Sequence, residues 1–443
     1  GPQTALYGKE TIGGVINIVS RMPDNKWSGD IGMEYGSYSK FNSNLNLGGA
    51  LIDDKLFLNL GASFMSDDGW IKNDFNDDKK AAKNSENRFD ISLISKPTDR
   101  LLMRLNLAKE KAKENFFRGG EGKFGTIKRK DAKHANFDMP TFTNSKALSQ
   151  VLSIEYEFDK AKFSSVSTHK SSIVNGIYDL DYSNMPNNNG LSQFQDVKNE
   201  TMTQEFRLSG LNSEKFKWIG GIYFEDEKTI NKKMGMDLFL NPATNKLETM
   251  NAPATMKGRT MAIFGQGDYE LIDNLRFILA GRYQKIDKKI DQKMIFSMQD
   301  IANGMVDFQY NDKKTWTKFL PKVGLNLAIN DQINLFTSYS RGYLAGGHNF
   351  FATSDTPDQN RFGPQISDNY ELGLYETKTN LRYGATLFYM NIKDIHMYKS
   401  LPNGVFFVSN GGKANSHGLE FEISYYADNG LDLSASLGVN KTK

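Results

Sequence analysis

The stretch LEFEISY, residues 419–425, alternates strictly between apolar and polar side chains. Leu, Phe, Ile and Tyr occupy the odd positions of this stretch, and Glu, Glu and Ser occupy the even positions. Successive side chains of a β-strand point to opposite faces, so a period of two predicts a strand with one apolar face and one polar face.

The same alternation recurs along the chain, for example at 101–107, 275–283 and 319–329. Two kinds of connection separate these runs. Short polar turns lie near residues 53, 98, 160, 213, 273, 330, 379 and 429. Longer polar segments lie at roughly 66–87, 111–147, 171–199, 228–256, 288–312 and 342–366. Short and long connections that alternate are typical of a transmembrane β-barrel, and we count about seventeen strands between Asp30 and Asn440.

Composition excludes several classes of protein. Lys plus Arg number 55 and Asp plus Glu number 52, so the regional basic excess of a nucleic-acid-binding protein is missing. The sequence has no cysteine, which excludes disulfides and thiolate metal sites. No apolar run approaches the roughly 20 residues of a transmembrane helix, and the mean hydropathy is −0.54. A strand-based membrane protein fits these values, since alternating strands hide their apolar faces from window averages.

The first twenty residues, GPQTALYGKETIGGVINIVS, form a glycine-punctuated turn that leads into a short apolar strand. They resemble the closing segment of the plug domain of TonB-dependent outer-membrane receptors. The residues that carry this resemblance, and that we predict to be a plug remnant, are Leu6, Tyr7, Gly8, Gly13, Gly14, Val15, Ile16, Asn17 and Ile18.

Four further segments resemble the same family, in the family's order along the chain. They are 335–349, 368–373, 388–395 and 418–422. The run Ala345-Gly346-Gly347-His348-Asn349 is most similar to receptors of the yersiniabactin/pesticin type, with His348 where an aromatic residue is common.

The resemblance implies an all-β fold, a large antiparallel transmembrane β-barrel preceded by the end of a plug. Barrels of this family have about 22 strands around a plugged lumen, of which about seventeen are expected here. We therefore expect a chain truncated at both ends, with residues 1–22 ending the plug domain and 23–443 forming an incomplete barrel. Exposed sheet edges are predicted near Asp30 and Leu431.

The function that the resemblance implies is energy-coupled uptake of a ferric siderophore across the outer membrane of a Gram-negative bacterium. The implied partners are the siderophore, outer-membrane lipid, and the TonB–ExbB–ExbD complex acting through a TonB box upstream of this chain. A monomer without nucleic acid and without a cofactor is expected, the ferric siderophore being the transported ligand. The alternatives are a receptor for haem, cobalamin or a glycan, a passive porin or adhesion barrel, and a soluble β-rich hydrolase.

No catalytic constellation is recognisable, so an enzyme is not expected, and the five histidines lack metal-site spacing. Acid pairs such as Asp179 and Asp181 lack the other positions of a calcium-binding loop, and they are interpreted as solvated loop acids. Four arginines lie on polar strand faces: Arg104, Arg276, Arg282 and Arg382. In a plugged barrel they would face the lumen and contact the plug, and ordinary solvation within the lumen explains their positions equally well. We predict ligand contact in one outer loop, at Arg341, Tyr343, His348, Phe350 and Phe351.

Overall fold

A computed structural model describes residues 4–8, 15, 22–116, 131–184, 190–211, 213, 215–241, 246–298, 306–400 and 406–443. Within these residues the chain is built almost wholly from antiparallel strands, which confirms the all-β prediction. The long strands are β1 (Ser28–Gly36), β2 (Lys40–Ile52), β3 (Leu56–Asp67), β4 (Asn84–Thr98), β5 (Leu101–Asn115), β6 (Phe142–Glu157), β7 (Ala161–Asp179), β8 (Ser192–Gly210), β9 (Phe216–Asn241), β10 (Ala254–Ile272), β11 (Leu275–Phe296), β12 (Phe308–Ala328), β13 (Ile333–Leu344), β14 (Gln365–Thr377), β15 (Leu381–Ser400), β16 (Phe406–Tyr426) and β17 (Asp432–Thr442).

Short elements decorate the connections between these strands. The described residues contain two four-residue α-helices, Thr4–Tyr7 and Pro357–Asn360, and two 3₁₀ turns, Ser37–Ser39 and Asp131–Lys133. The short strands are Lys72–Asn73, His134–Ala135, Lys246–Asn251, Gly347–His348 and Arg361–Phe362. No helix in the described part of the chain is long and apolar enough to cross a membrane.

Each long strand pairs with the next one in sequence, from β1 through β17, to form one continuous meander. The two faces of the sheet differ as the alternation predicts. On β11, Leu279 and Tyr283 are about half exposed on one face, whereas Ile286 and Ile290 are buried on the other. We call these the outward and the inward face.

The connections sort by length to the two ends of the sheet. At the end that we call the turn end, connections such as 53–55, 99–100 and 427–431 comprise two to five residues. The opposite end, the loop end, carries the longer connections, including 68–83 and 345–364, together with the short connection 37–39. This asymmetry is the one that a transmembrane barrel shows.

Several segments predicted as long loops are strand instead, and that part of the interpretation was wrong. β9 continues to Asn241, β11 reaches Phe296, and β12 begins at Phe308. The physical reason is that the two faces of the strands exchange character near the loop end, with apolar residues inward and polar residues outward. Near the loop end of β11 the buried inward positions hold Ile290 and Met294, and the outward positions between them hold Asp and Lys. The period of two persists there, but the polar side chains have moved to the outward face.

The sheet has two free edges. β1 pairs with β2 and β17 pairs with β16, and the described residues include no pairing between β1 and β17. All eleven residues of β17 are exposed. The predicted edges near Asp30 and Leu431 are therefore confirmed. The domain boundary at residues 22 and 23 stays a prediction, since the first strand begins at Ser28.

Candidate functional site

The connection between β13 and β14, residues 345–364, folds back onto the inward face at the loop end. Gly347–His348 pairs with Arg361–Phe362, which closes the connection into a small hairpin. The backbone N–H of Asn349 donates to the carbonyl of Asn360 at 2.8 Å. Three of the five residues predicted to contact ligand, His348, Phe350 and Phe351, lie on this segment, which we call the β13–β14 loop.

His348 is held by a carboxylate from the wall of the sheet. Its Nε2 lies 3.1 Å from Oδ2 of Asp312 on β12, and the Arg361 guanidinium lies 3.5 Å from the same oxygen. The side chains of His348 and Asp312 are 4% and 9% exposed. Burial lowers the pKa of His348 below its ordinary value of 6.5, although the nearby Asp312 carboxylate opposes that shift.

Phe351 is inserted into an apolar cluster that is rich in methionine. The buried members of the cluster are Met236, Met250, Ala252, Ile290, Met294, Tyr310, Phe351 and Ala352. Tyr310 joins this cluster to His348. The centroids of the two rings lie 6.3 Å apart, and the edge of one ring points toward the face of the other. Methionine is flexible and polarizable, so such a cluster adapts to the shape of an aromatic ring.

Gln292 clamps the backbone on both sides of Phe351. Its Nε2 donates to the carbonyl of Phe350, and its Oε1 accepts from the N–H of Ala352 at 3.3 Å. The Phe350 ring points elsewhere and is 43% exposed, whereas Phe351 is 6% exposed. Adjacent phenylalanines therefore have different environments, one packed in the cluster and one facing solvent.

Asn349 ties the β13–β14 loop to β16. Its Nδ2 donates to the carbonyl of Val408 at 2.9 Å, and its Oδ1 accepts from the N–H of Val408 at 2.6 Å. Asn349 is 4% exposed. A buried amide that satisfies both a donor and an acceptor of a neighbouring strand fixes the position of the loop, since leaving those groups unpaired is costly.

The other two predicted ligand residues lie on β13 and do not join this group. Arg341 forms an ion pair with Asp368 at 2.8 Å, and the Tyr339 hydroxyl donates to the same carboxylate at 2.9 Å. Tyr343 is 1% exposed and packs with Ile286, Leu320 and Ala345. The structure thus brings together His348 and Phe351, leaves Phe350 at the surface, and uses Arg341 and Tyr343 in contacts between strands.

Among the predicted plug residues, Leu6 and Tyr7 end the helix Thr4–Tyr7 and Gly8 follows it. This segment packs on β10 to β13, and Gly8 is buried against the guanidinium of Arg282. Val15 is 38% exposed. Gly13, Gly14, Ile16, Asn17 and Ile18 lie outside the described residues.

Arg282 is one of the arginines predicted to point inward, and its side chain is buried on the inward face against residues 4–8. It is 2% exposed, and its guanidinium lies over the rings of Tyr223 and Phe264, 5.3 and 5.6 Å from their centroids. Its Nε donates to Oε1 of Gln284 at 2.9 Å. These contacts hold the guanidinium rigidly in the position where it meets Gly8.

Three carboxylates meet at the loop end near β7. Asp138, Asp179 and Asp181 bring ligand atoms within 4.8 Å of one another. Asp179 is 1% exposed, so its interpretation as a solvated loop acid was wrong. Burial raises the pKa of the Asp179 carboxyl to about 7, although the N–H groups of Met139 and Tyr182 donate to it and oppose the shift.

Sequence reasoning missed Asp312, Gln292 and Asn349. The first two lie at the ends of a segment, 288–312, that was interpreted as a polar loop. Gln292 is buried on the inward face of β11, the same face as Ile290 and Met294. The available signal was the apolar residues at 286, 290 and 294, which all fall on one face of a strand that continues beyond residue 283.

The family model described as "TonB dependent receptor-like, beta-barrel" matches residues 88–442. A pesticin receptor of Yersinia enterocolitica is 24% identical over 431 residues, which cover 96% of this chain and 60% of that protein. The chain thus spans about three fifths of the length of this curated relative.

Solved structures have the same fold. The ferric yersiniabactin uptake receptor FyuA from Yersinia pestis superposes with a TM-score of 0.86 at 20% identity, over 100% of this chain and 65% of that one. The ferric-catecholate import receptor Fiu from Escherichia coli K12 superposes with a TM-score of 0.74 at 15% identity, over 100% of this chain and 69% of that one. The chain therefore belongs to the TonB-dependent receptor β-barrel family, whose members lie in the outer membrane of Gram-negative bacteria.

Proposed function

We propose that this chain forms part of an outer-membrane receptor that takes up a ferric siderophore. The observation that carries the proposal is the β13–β14 loop. It holds His348, Phe350 and Phe351 at the loop end of a sheet that belongs to the receptor family. Aromatic side chains with a few oriented polar groups are the composition of small-molecule sites. The pesticin receptor and FyuA, which share the family and the fold, support a siderophore over other nutrients.

The proposed mechanism is binding followed by energy-coupled release, with no covalent chemistry. The siderophore would contact the exposed Phe350 first, and the residues behind it would define the shape of the site. Arg341, Tyr343, His348 and Phe351 remain predicted ligand residues, of which the last three are buried. Coupling would come from TonB–ExbB–ExbD acting on the plug, whose predicted residues include the described Leu6, Tyr7, Gly8 and Val15.

Uptake of radioactive iron by a receptor-deletion strain, supplied on a panel of chelates, tests the proposal. Complementation with the receptor gene should restore uptake of one ferric siderophore, and uptake should stop when TonB is absent. Restoration of haem, cobalamin or glycan uptake instead would identify an alternative nutrient. Restored passage without TonB would identify a passive porin.

Phe350→Ala tests the loop itself. The ring is 43% exposed, so its removal should weaken siderophore binding while the amount of receptor in the membrane is unchanged. Phe158→Ala is the matched control, because Phe158 is 51% exposed but lies at the turn end. Equal binding by both variants and the unaltered receptor would remove the β13–β14 loop from the site.

A further inference from the structure

Five of the 17 methionines of this chain belong to one apolar cluster at the loop end of the inward face. Three of them are almost fully buried, at 8%, 3% and 1% exposure: Met236, Met250 and Met294. The other two, Met234 and Met256, are partly buried and pack against the cluster. The remaining three apolar clusters of the described residues contain one methionine between them. Methionine is therefore concentrated in this cluster and is not the usual core residue of this protein.

Hydrogen-bonded register brings the three buried methionines together from three strands. Met236 on β9 lies opposite Met250 on the short strand Lys246–Asn251. Met250 lies opposite Phe296 on β11, and Met294 is two residues from Phe296 and points to the same face. Opposed residues have Cβ atoms about 5 Å apart, and diagonal neighbours are about 7 to 8 Å apart. Since a methionine side chain has three rotatable bonds, the sulfur atoms can converge across these distances.

The cluster offers soft donor atoms and no hard ones. Its eight buried members are methionine, alanine, isoleucine, tyrosine and phenylalanine, so it contains no carboxylate and no imidazole. Thioether sulfur is a ligand for soft ions such as Cu(I), whereas Mg²⁺ and Ca²⁺ take oxygen ligands and Zn²⁺ takes thiolate, imidazole or carboxylate. The sequence has no cysteine, so methionine supplies the only soft ligand atoms of the chain.

A soft cation fits among methionine sulfurs without a separate cavity. Three sulfur atoms in van der Waals contact, about 4 Å apart, surround a point about 2.3 Å from each, which is the length of a metal–sulfur bond. Tyr310 and Phe351, at 0% and 6% exposure, belong to the same cluster. The faces of aromatic rings attract cations, so sulfur and rings together compensate a single charge. A strongly hydrated ion would lose its water here without compensation.

We propose that Met236, Met250 and Met294 bind one soft monovalent metal ion, Cu(I) or its analogue Ag(I). Three thioether sulfurs hold the ion, and the rings of Tyr310 and Phe351 pack around it. Binding involves no electron transfer and no proton. The inference goes beyond uptake of a ferric siderophore and does not depend on it. It is measured on purified protein without iron, siderophore or TonB, so its failure would leave the proposed transport function untouched.

The test uses Ag⁺, a soft monovalent ion that is stable in air, with the purified protein in detergent micelles and chloride-free buffer. Methionine methyl groups are labelled with ¹³C, and their NMR signals are followed as silver nitrate is added. Single substitutions Met236→Leu, Met250→Leu and Met294→Leu identify the three signals, and the site variant combines them. The matched control, Met33→Leu/Met202→Leu/Met261→Leu, removes three methionines that are exposed.

We expect the three signals to shift together and to reach their final positions at one equivalent of Ag⁺. The site variant should bind this first Ag⁺ at least about tenfold more weakly, and the control should bind it like the unaltered protein. Equal affinity of the site variant and the unaltered protein would overturn the proposal, as would an equal loss in the control or three signals that do not shift. Zn²⁺ should leave the signals in place, and a shift of the same size with Zn²⁺ would overturn the assignment to a soft ion.

Misfolding is separated from loss of binding by thermal unfolding in the same micelles without silver. Leucine conserves most of the volume of methionine, so the site variant should unfold close to the temperature of the unaltered protein. If the triple variant does not fold, the three single variants are measured in its place. Each should bind Ag⁺ more weakly than the unaltered protein, and unchanged binding by all three would equally overturn the proposal.

Discussion

Gly8 and Arg282 are in such close contact that a Cβ on Gly8 would lie 2.9 Å from Nη2 of the arginine. Gly8 has a φ of +89°, in the region that favours glycine. Two reasons therefore favour glycine at this position. Its backbone conformation suits glycine, and a larger residue would collide with Arg282. The contact joins residues 4–8 to the inward wall of the sheet, although the two residues are far apart in sequence.

Gly8→Ala should loosen the docking of residues 4–8. Arg282 cannot swing away cheaply, because it is stacked on two rings and bonded to Gln284. The combined strain and collision should cost about 1 to 3 kcal/mol. Hydrogen exchange of the amides in residues 4–8 measures it, and exchange there should become faster while exchange in β11 stays unchanged. Gly438→Ala is the control, because no atom lies within 4 Å of its added Cβ. Unchanged exchange in Gly8→Ala would contradict the docking role.

Phe351→Ala should release the β13–β14 loop from the inward face. The side chain is 6% exposed in the methionine-rich cluster, and truncation of a buried phenylalanine costs about 3 to 5 kcal/mol. The loop is held locally, so the loss should appear as faster proteolysis within 345–364 and leave the unfolding of the sheet unchanged. Phe350→Ala should not accelerate cleavage, since that ring is largely exposed. Similar cleavage rates for the two variants would show that the cluster does not anchor the loop.

The β13–β14 loop should become less stable in acid because of His348. Its pKa is lowered in the folded protein, by burial first and also by the cations of Lys288 and Arg361. The folded protein therefore binds a proton less readily than the unfolded chain. The stability is present above the unfolded pKa of about 6.5 and is lost as the pH falls through the lower folded pKa.

Hydrogen exchange in 345–364 measured at about pH 7.5 and about pH 5 checks this sign, after correction for the intrinsic pH dependence of exchange. Protection should decrease at the lower pH in the unaltered protein. His348→Gln cannot titrate, and its protection should change little. A loop with equal protection at both pH values in the unaltered protein would refute the prediction.

Asp179 should give a pH dependence of the opposite sign. Burial raises its pKa to about 7 from an ordinary value of 3.8, so the folded protein holds the proton more tightly than the unfolded chain. The stability is fully present below the unfolded pKa of about 3.9 and is lost as the pH rises through about 7.

Asp179→Asn should abolish this dependence, because an amide does not titrate. Protection of the N–H groups of Met139 and Tyr182, which donate to the Asp179 carboxyl, reports it by hydrogen exchange. Both should lose protection as the pH rises from about 5 to about 8 in the unaltered protein only. A loss of the same size in Asp179→Asn would assign the effect to another group.

The strand order was predictable because it depends on local signals. The alternation at 275–283 or 419–425 identifies a strand without knowledge of its partner, and short turns such as 273–274 specify which strand lies beside it. The prediction from alternation was wrong at 228–256 and 288–312. There the outward face of the strands carries polar residues, so the sequence resembles that of a loop.

The candidate site was predicted only in part, because its members come from distant strands. The sequence indicated His348, Phe350 and Phe351 on one loop, but nothing in it pairs His348 with Asp312 or Phe350 with Gln292. These pairs are separated by 36 residues and by nearly 60. They depend on the register of β11 and β12 and on the loop folding inward over them.

The sequence by itself determined the class of this protein. A period of two, a regular sequence of turns and a few receptor-like segments specify an antiparallel membrane sheet, since each of these properties belongs to residues that are neighbours in the chain. Only the tertiary structure decided which inward and outward side chains meet. Gly8 lies on Arg282 because residues 4–8 pack against the inward face of the sheet. Arg341 meets Asp368 because hydrogen-bonded register brings their strands together, and register is a property of the whole sheet.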